Sequence, residues 1–279
     1  MSLMLQLSTV GGICNARCVF CPLEDPLYYS KNDAKTGIMS FPLFAKLIDE
    51  AKTIPEFNVV VMTGLGETLL DPHLDTRIKY IRAARNDWET SVFTNGFSLS
   101  PPRFDRLADA GLQNLIISLN ATRSEEHHAT MKLGLGAFDK ISRFADYAIG
   151  SGRMRVVVNA IVSLDRWTGE QVKTFKDRWG DAAHMTWENN WAGANRTISE
   201  YPAFKPNETC PRAIDSIYIT WNGKVSMCVL DPMAKHGFGD ASVKTIREVY
   251  NSEEYVRFRT AHNENRADEF VVCRNCTRN

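Results

Sequence analysis

Cys14-Asn15-Ala16-Arg17-Cys18-Val19-Phe20-Cys21 is the stretch on which the reading of this chain turns. Just upstream, Leu5–Thr9 reads as a short strand. Gly11 and Gly12 lie between the two and permit a loop whose backbone can crowd a ligand. Three thiolates on one short loop can hold three irons of a four-iron, four-sulfur cube. No fourth cysteine lies nearby, so the last iron stays open to an exchangeable ligand. The same three sulfurs with a distant histidine form the alternative, a zinc site, although zinc sites more often use paired cysteines two to four residues apart.

Seven cysteines occur in the 279 residues, and they fall into two sets: Cys14, Cys18 and Cys21, then Cys210, Cys228, Cys273 and Cys276. An odd number disfavours a disulfide framework, and three plus four leaves none over. The N-terminal MSLMLQLSTV has no basic region and no small-residue cleavage site, and no apolar run is long enough to span a membrane. The expected location is therefore the cytoplasm, where thiols stay reduced. Lys+Arg and Asp+Glu both number 33, and this balance argues against a nucleic-acid polymer as partner.

Downstream, strands and helices alternate. Asn58–Thr63, Ser91–Thr94, Asn114–Leu119, Met154–Val162 and Ala183–Trp187 read as further strands. Ser40, Asp71-Pro72 and Ser100-Pro101 read as helix starts, and Gly111 as a helix end. The stretch Arg123–His128 reads as an exposed helix start, with His127 and His128 solvated. About six βα units fit before residue 190, which predicts an α/β fold, a partial (β/α)6 TIM-like barrel. Chemistry in such barrels sits at the C-terminal ends of the strands, and the second strand runs there into Gly64-Leu65-Gly66-Glu67.

Together these motifs resemble the radical S-adenosylmethionine (SAM) superfamily. Cys-x3-Cys-x2-Cys after the first strand, with Phe20 before the third cysteine, is similar to its signature. Gly64, Gly66 and Glu67 resemble the glycine-rich stretch that binds the methionyl amino group of SAM, with Thr68 where the family usually has proline. The resemblance implies a first [4Fe-4S] cluster on Cys14, Cys18 and Cys21, with SAM at its open iron. It further implies strand-end contacts to SAM or substrate from Ser118, Asn159 and Glu188, with Thr94-Asn95-Gly96 a weaker candidate. A local turn role for each is the alternative.

After residue 209 the pattern changes. Ile214–Thr220 and Lys224–Val229 flank Trp221-Asn222-Gly223 and read as a hairpin with an Asn-Gly turn. Ser242 and Ser252 read as caps for two helices, carrying Val243, Ile246 and Val249, then Tyr255, Val256 and Phe258. The spacing of Cys210, Gly223, Cys228, Cys273 and Cys276 resembles the twitch domain, the shortened SPASM domain of some radical SAM enzymes. It also resembles that of the 2-deoxy-scyllo-inosamine dehydrogenases, which oxidise a cyclitol alcohol. Four thiolates fill every iron of a second [4Fe-4S] cluster, and a structural four-cysteine zinc site is the alternative. The expected division is residues 1–190 for the barrel and 191–279 for a linker plus a small α+β twitch domain.

The resemblance implies an oxidoreductase in which a 5′-deoxyadenosyl radical abstracts hydrogen and the second cluster accepts an electron. Its electron donor would be a flavodoxin or ferredoxin. The cluster motif begins at Cys14, which leaves no room before it for a peptide-recognition domain. That favours a small substrate such as a sugar, cyclitol or nucleoside. Two alternatives stand beside it: modification of a peptide or protein, and a non-enzymatic binding protein stabilised by zinc.

Overall fold

The computed structural model describes residues 2–24, 36–193, 209–274 and 276–277. Positions 25–35 and 194–208 lie outside the described residues. So does Asn275, between the last two cysteines.

The first strand, β1 (Leu3–Leu7), is followed by a small antiparallel ribbon of β2 (Val10–Gly11) and β3 (Gly37–Ile38). Next come β4 (Phe57–Met62), β5 (Glu89–Thr94), β6 (Asn114–Ser118), β7 (Arg155–Val162) and β8 (Ala183–Trp187). From β1 through β4 to β8, each strand pairs in parallel with the next. These are the six strands of the expected partial barrel. On the other side of β1 lies β9 (Ser216–Ile219), also parallel, followed by antiparallel β10 (Lys224–Ser226) and β11 (Gly237–Asp240). The C-terminal hairpin thus continues the barrel's own sheet, which has nine strands among the described residues.

Side chains alternate across this sheet because the strand period is two. Leu5, Leu7, Val60, Met62, Val92, Leu115, Ile117, Val158 and Ala160 point outward and are buried under the helices. The opposite face curves round a cavity of about 480 Å3, lined from β1 to β8 by residues that include Gln6, Thr63, Ser91, Asn114, Ile116 and His184. This lumen has polar walls, Glu89 and Arg155 among them, between apolar ones, unlike the helix-facing side.

The helices that cover the sheet are α1 (Phe41–Ala51), α2 (Leu74–Ala84), α3 (Pro101–Asp109), α4 (Ser124–Met131), α5 (Ala137–Ser151) and α6 (Gly169–Trp179). In α1, Phe44, Leu47, Ile48 and Ala51 recur at helical spacing and are fully buried. Each of the larger three contributes about 1.5–3 kcal/mol by leaving water. Ser40 caps this helix by accepting the Leu43 N–H.

Three local expectations are corrected. Asp71 does not cap α2, which starts at Leu74 with His73 in the cap position. Its carboxylate instead accepts the His73 N–H at 2.9 Å and pairs with Arg77 at 2.6 Å, both side chains fully buried. Arg77 also donates to the Met39 carbonyl and lies 4.8 Å from the Phe44 ring centroid, so the pair joins α1 to α2. Secondly, Ser242 is not a cap. Thr245 forms the capping box of α8 (Ile246–Tyr250), and Val243 is exposed outside it. Ser252 does cap α9 (Glu253–Asn263), whose buried stripe is Tyr255, Phe258, Ala261 and His262, with Val256 exposed. Thirdly, His127 is not solvated. It is fully buried on α4 beside the Phe138 ring, and neither ring nitrogen has a hydrogen-bond partner among the described residues. Burial pushes its imidazole down to about 4.

Replacing Arg77 with Met leaves Asp71 charged and buried without its partner. We expect a loss of about 3–5 kcal/mol in anaerobic chemical denaturation, with much of it recovered in the Asp71→Leu/Arg77→Met double variant. For His127 the sign follows from a lowered native value: the unfolded chain takes up a proton near 6.5 while the native ring stays neutral to about 4. Native stability therefore falls as pH drops from 6.5 towards 4. His127→Phe should flatten that fall by roughly 2–3 kcal/mol relative to the unsubstituted protein in the same assay.

Candidate active site

The first cysteine loop leaves β1 at its C-terminal end and packs against the end of α4. Arg17 N–H donates to the Met131 carbonyl at 3.0 Å, and Val19 N–H to the Thr130 carbonyl at 2.9 Å. The Met131 sulfur also lies 3.3 Å from the Cys18 sulfur. Cys14, Cys18 and Cys21 are each partly buried and close enough to repel one another as thiolates. Burial pushes the Cys21 thiol up to about 12, raises Cys18 well above its ordinary value, and raises Cys14 less. Three such sulfurs become stable as thiolates only against a positive group that all of them touch. This donor set fits an iron–sulfur cluster.

Glu67 is 2% exposed, and both of its carboxylate oxygens bond to the chain. One carboxylate oxygen accepts the Leu69 N–H at 2.9 Å and the Thr94 hydroxyl at 2.6 Å, and the other accepts the Asn95 N–H at 2.8 Å. Burial raises its pKa, and the three donors oppose the rise. The amide of Asn95 in turn donates to Asn15 at 2.7 Å and lies 3.8 Å from the Cys14 sulfur. The ends of β4 and β5 are thereby tied to the cysteine loop. Gly64 has φ +146°, and a Cβ there would stand 2.5 Å from the Ser8 hydroxyl and 2.6 Å from the Tyr218 hydroxyl. Glycine is needed at this position for contact with the chain itself. Gly66 N–H donates to the Gly64 carbonyl at 3.1 Å.

The other expected strand-end residues gather at the same end of the sheet. Ser118, Asn159 and His184 are neighbours in register on β6, β7 and β8, and Asn159 shares a 2.8 Å hydrogen bond with His184. Glu188, 2% exposed, pairs with Arg166, while its second oxygen has no partner among the described residues. Arg166 also lies 5.7 Å from the centroid of the buried Phe20 ring. The sequence reading did not single out Arg166, which sits in a loop without a motif. Nor did it find Trp191, whose indole N–H donates to the Phe20 carbonyl at 2.9 Å.

Cys210, Cys228, Cys273 and Cys276 line one cavity together with Arg212 and His262. Cys210 precedes α7 (Pro211–Ile214), Cys228 follows β10, and Cys273 lies in α10 (Val271–Arg274). Burial pushes the Cys228 thiol up to about 12. Among the described residues no three Cys, His, Asp or Glu side chains converge round a point as a single metal ion requires. The four sulfurs instead surround a space, and this fits a cluster with one iron for each sulfur. The tail beyond Cys276 is pinned to the end of β8: Asn190 N–H donates to the Thr277 hydroxyl at 2.9 Å, and Thr277 N–H to the Asn190 side chain at 3.1 Å. Trp221, in the hairpin turn, seats its ring on Gly11 and Gly37, where Cβ atoms would stand 1.9 and 2.3 Å from it.

Comparison with known proteins accords with this geometry. The model of the radical SAM superfamily matches residues 8–178, and that of the SPASM iron–sulfur cluster-binding domain matches residues 210–277. The S-adenosyl-L-methionine-dependent 2-deoxy-scyllo-inosamine dehydrogenase of Niallia circulans is 23% identical over 96% of this chain and 90% of its own. A tungsten-containing aldehyde ferredoxin oxidoreductase cofactor-modifying protein of Pyrococcus furiosus is 22% identical over 55% of the chain, and a GTP 3′,8-cyclase of Sulfurovum is 34% identical over 41%. The chain spans only 42% and 33% of those two proteins. Among solved structures, BtrN in complex with AdoMet and 2-DOIA aligns with TM-score 0.70 at 18% identity, covering 100% of this chain and 94% of that one. The enzyme anSMEcpe with bound AdoMet aligns with TM-score 0.72 at 14% identity, covering 98% and 85%. Among the described residues no helix is long and apolar enough to cross a membrane. A cysteine loop at the mouth of a partial parallel barrel, a second cysteine set round its own cavity, and a family match over residues 8–178 lead to one conclusion: the chain belongs to the radical SAM superfamily, with a C-terminal iron–sulfur cluster-binding domain.

Proposed function

We propose that this enzyme is an oxidoreductase that removes two electrons from a small polar molecule of the sugar, cyclitol or nucleoside kind. Cys14, Cys18 and Cys21 hold one [4Fe-4S] cluster, and Cys210, Cys228, Cys273 and Cys276 hold the other. When bound, the clusters and SAM supply hydrogen-atom abstraction by a 5′-deoxyadenosyl radical and an acceptor for the second electron. The barrel spans residues 1–190 and the linker and cluster domain 191–279 on this reading.

The remaining work falls to the chain's own side chains. Glu67 fixes the turn after β4, and its remaining acceptor capacity would hold the methionyl ammonium of SAM. Gly64 and Gly66 shape the same turn, and Phe20 walls the cysteine loop. Ser118, Asn159 and Glu188 offer hydrogen bonds to the SAM ribose or the substrate from the ends of β6, β7 and β8. The lumen orients the substrate with polar groups such as Gln6, Thr63, Ser91 and His184, and its apolar walls exclude water. A volume of about 480 Å3 suits a small ligand. The single observation that carries this reading is the Niallia circulans dehydrogenase, alike along 96% of this chain and 90% of its own length. Four cysteines round one cavity agree with it, since a fully ligated cluster has no iron free for substrate and serves as an electron acceptor. A flavodoxin or ferredoxin is the matching electron donor.

The test is anaerobic reconstitution, iron analysis and reductive cleavage of SAM to 5′-deoxyadenosine. We expect about eight irons per chain and cleavage that rises with cyclitol or sugar substrates. Cys228→Ala should lose about four irons and product formation while retaining part of the SAM cleavage. Normal product from that variant rules out the acceptor role, and turnover confined to peptides rules out the small substrate.

A further inference from the structure

A histidine reaches a sulfur of the C-terminal site. His262 is 2% exposed on α9, and its Nε2 lies 3.4 Å from the Cys273 sulfur. The ring is held edge-on to Phe258 with centroids 4.7 Å apart. Phe258 is itself wedged against Phe238 at 5.1 Å and Phe270 at 4.9 Å. This packing fixes the direction of the imidazole. A cysteine that ligates iron has no hydrogen and can only accept, so Nε2 carries the hydrogen of this contact. The Nε2–H tautomer and the imidazolium both present it to the sulfur.

The two cysteine sites differ in what faces them. At the N-terminal loop the neighbours of the sulfurs are the Ala16 N–H, the Asn95 amide and the carboxylates of Glu67 and Glu24. At the C-terminal cavity they include the Leu230 N–H, His262 and the Arg212 guanidinium. Donors and positive charge beside a cluster stabilise its reduced form and raise its potential, whereas carboxylates do the opposite.

We infer that His262 is a positioning residue that raises the reduction potential of the C-terminal cluster by donating from Nε2 to the Cys273 sulfur. The inference rests on the oxidoreductase reading above. In oxidation of an alcohol to a ketone, one electron and one proton leave as the abstracted hydrogen atom. The second proton goes to solvent, and the second electron goes to the C-terminal cluster and on to a one-electron carrier. His262 makes the transfer into that cluster more favourable.

The experiment is a redox titration followed by electron paramagnetic resonance. It uses the full chain carrying Cys14→Ala, Cys18→Ala and Cys21→Ala, so that only the C-terminal cluster contributes. His262→Phe should lower the midpoint by about 59 mV, the one-electron equivalent of a tenfold change in the transfer equilibrium. His262→Gln, which can still donate, should stay near the unsubstituted value. In the enzyme with both clusters, His262→Phe should keep 5′-deoxyadenosine formation while product per deoxyadenosine falls about tenfold. If His262→Phe sheds its iron, His262→Asn, too short to reach the sulfur, takes its place with the same expected shift. An iron-replete variant with an unchanged midpoint overturns the inference alone. A C-terminal site that takes up zinc and gives no signal overturns the oxidoreductase reading as well.

Discussion

A carboxylate buried at the mouth of the barrel is the constraint from which the site is built. Glu67 stands among apolar residues where an unpartnered charge would be costly, and it escapes that cost by accepting from Leu69, Thr94 and Asn95. Leu69 lies in the turn after β4, and Thr94 and Asn95 lie at the end of β5. Satisfying one buried charge therefore sets the turn after β4, the end of β5 and, through Asn95 and Asn15, the cysteine loop. Gly64 beside it is required by the closeness of Ser8 and Tyr218, which brings β9 into the same arrangement, and Gly66 by the Val10 carbonyl.

The second cysteine set is attached to the first through the body of the protein. Strand β9 pairs with β1, so the C-terminal hairpin grows out of the barrel sheet. Trp221 at its turn sits on Gly11 beside the first cysteine loop. At the opposite edge, Trp191 bonds the Phe20 carbonyl while its neighbour Asn190 holds Thr277 beside Cys276. Both cysteine sets are thus anchored to the end of β8. Movement at one site is constrained by contacts that also shape the other.

Burial has the same consequence at both sites. It raises the thiol pKa values of Cys14, Cys18, Cys21 and Cys228, so each site opposes the thiolates it needs until a cationic group is present. Cluster binding and the final packing of these loops are accordingly linked.

What the amino-acid order determined by itself was everything carried by short-range pattern. Apolar and β-branched runs set the six parallel strands, helical spacing set the buried face of α1, and cysteine spacing divided seven sulfurs into three and four. The family resemblance rested on these local signals, and the comparisons agree with it. Asp71, Ser242 and His127 misled because a polar residue near a helix start looks alike whether it caps, bonds to a neighbouring loop or is buried. Only the chain's long-range path separates those outcomes: Asp71 meets Arg77, and α5 places Phe138 over His127. The roles of Arg166, Trp191, Trp221 and His262 were likewise decided by tertiary structure. Their partners lie far away in sequence or on another face of a helix, and no local pattern encodes a contact that packing alone creates.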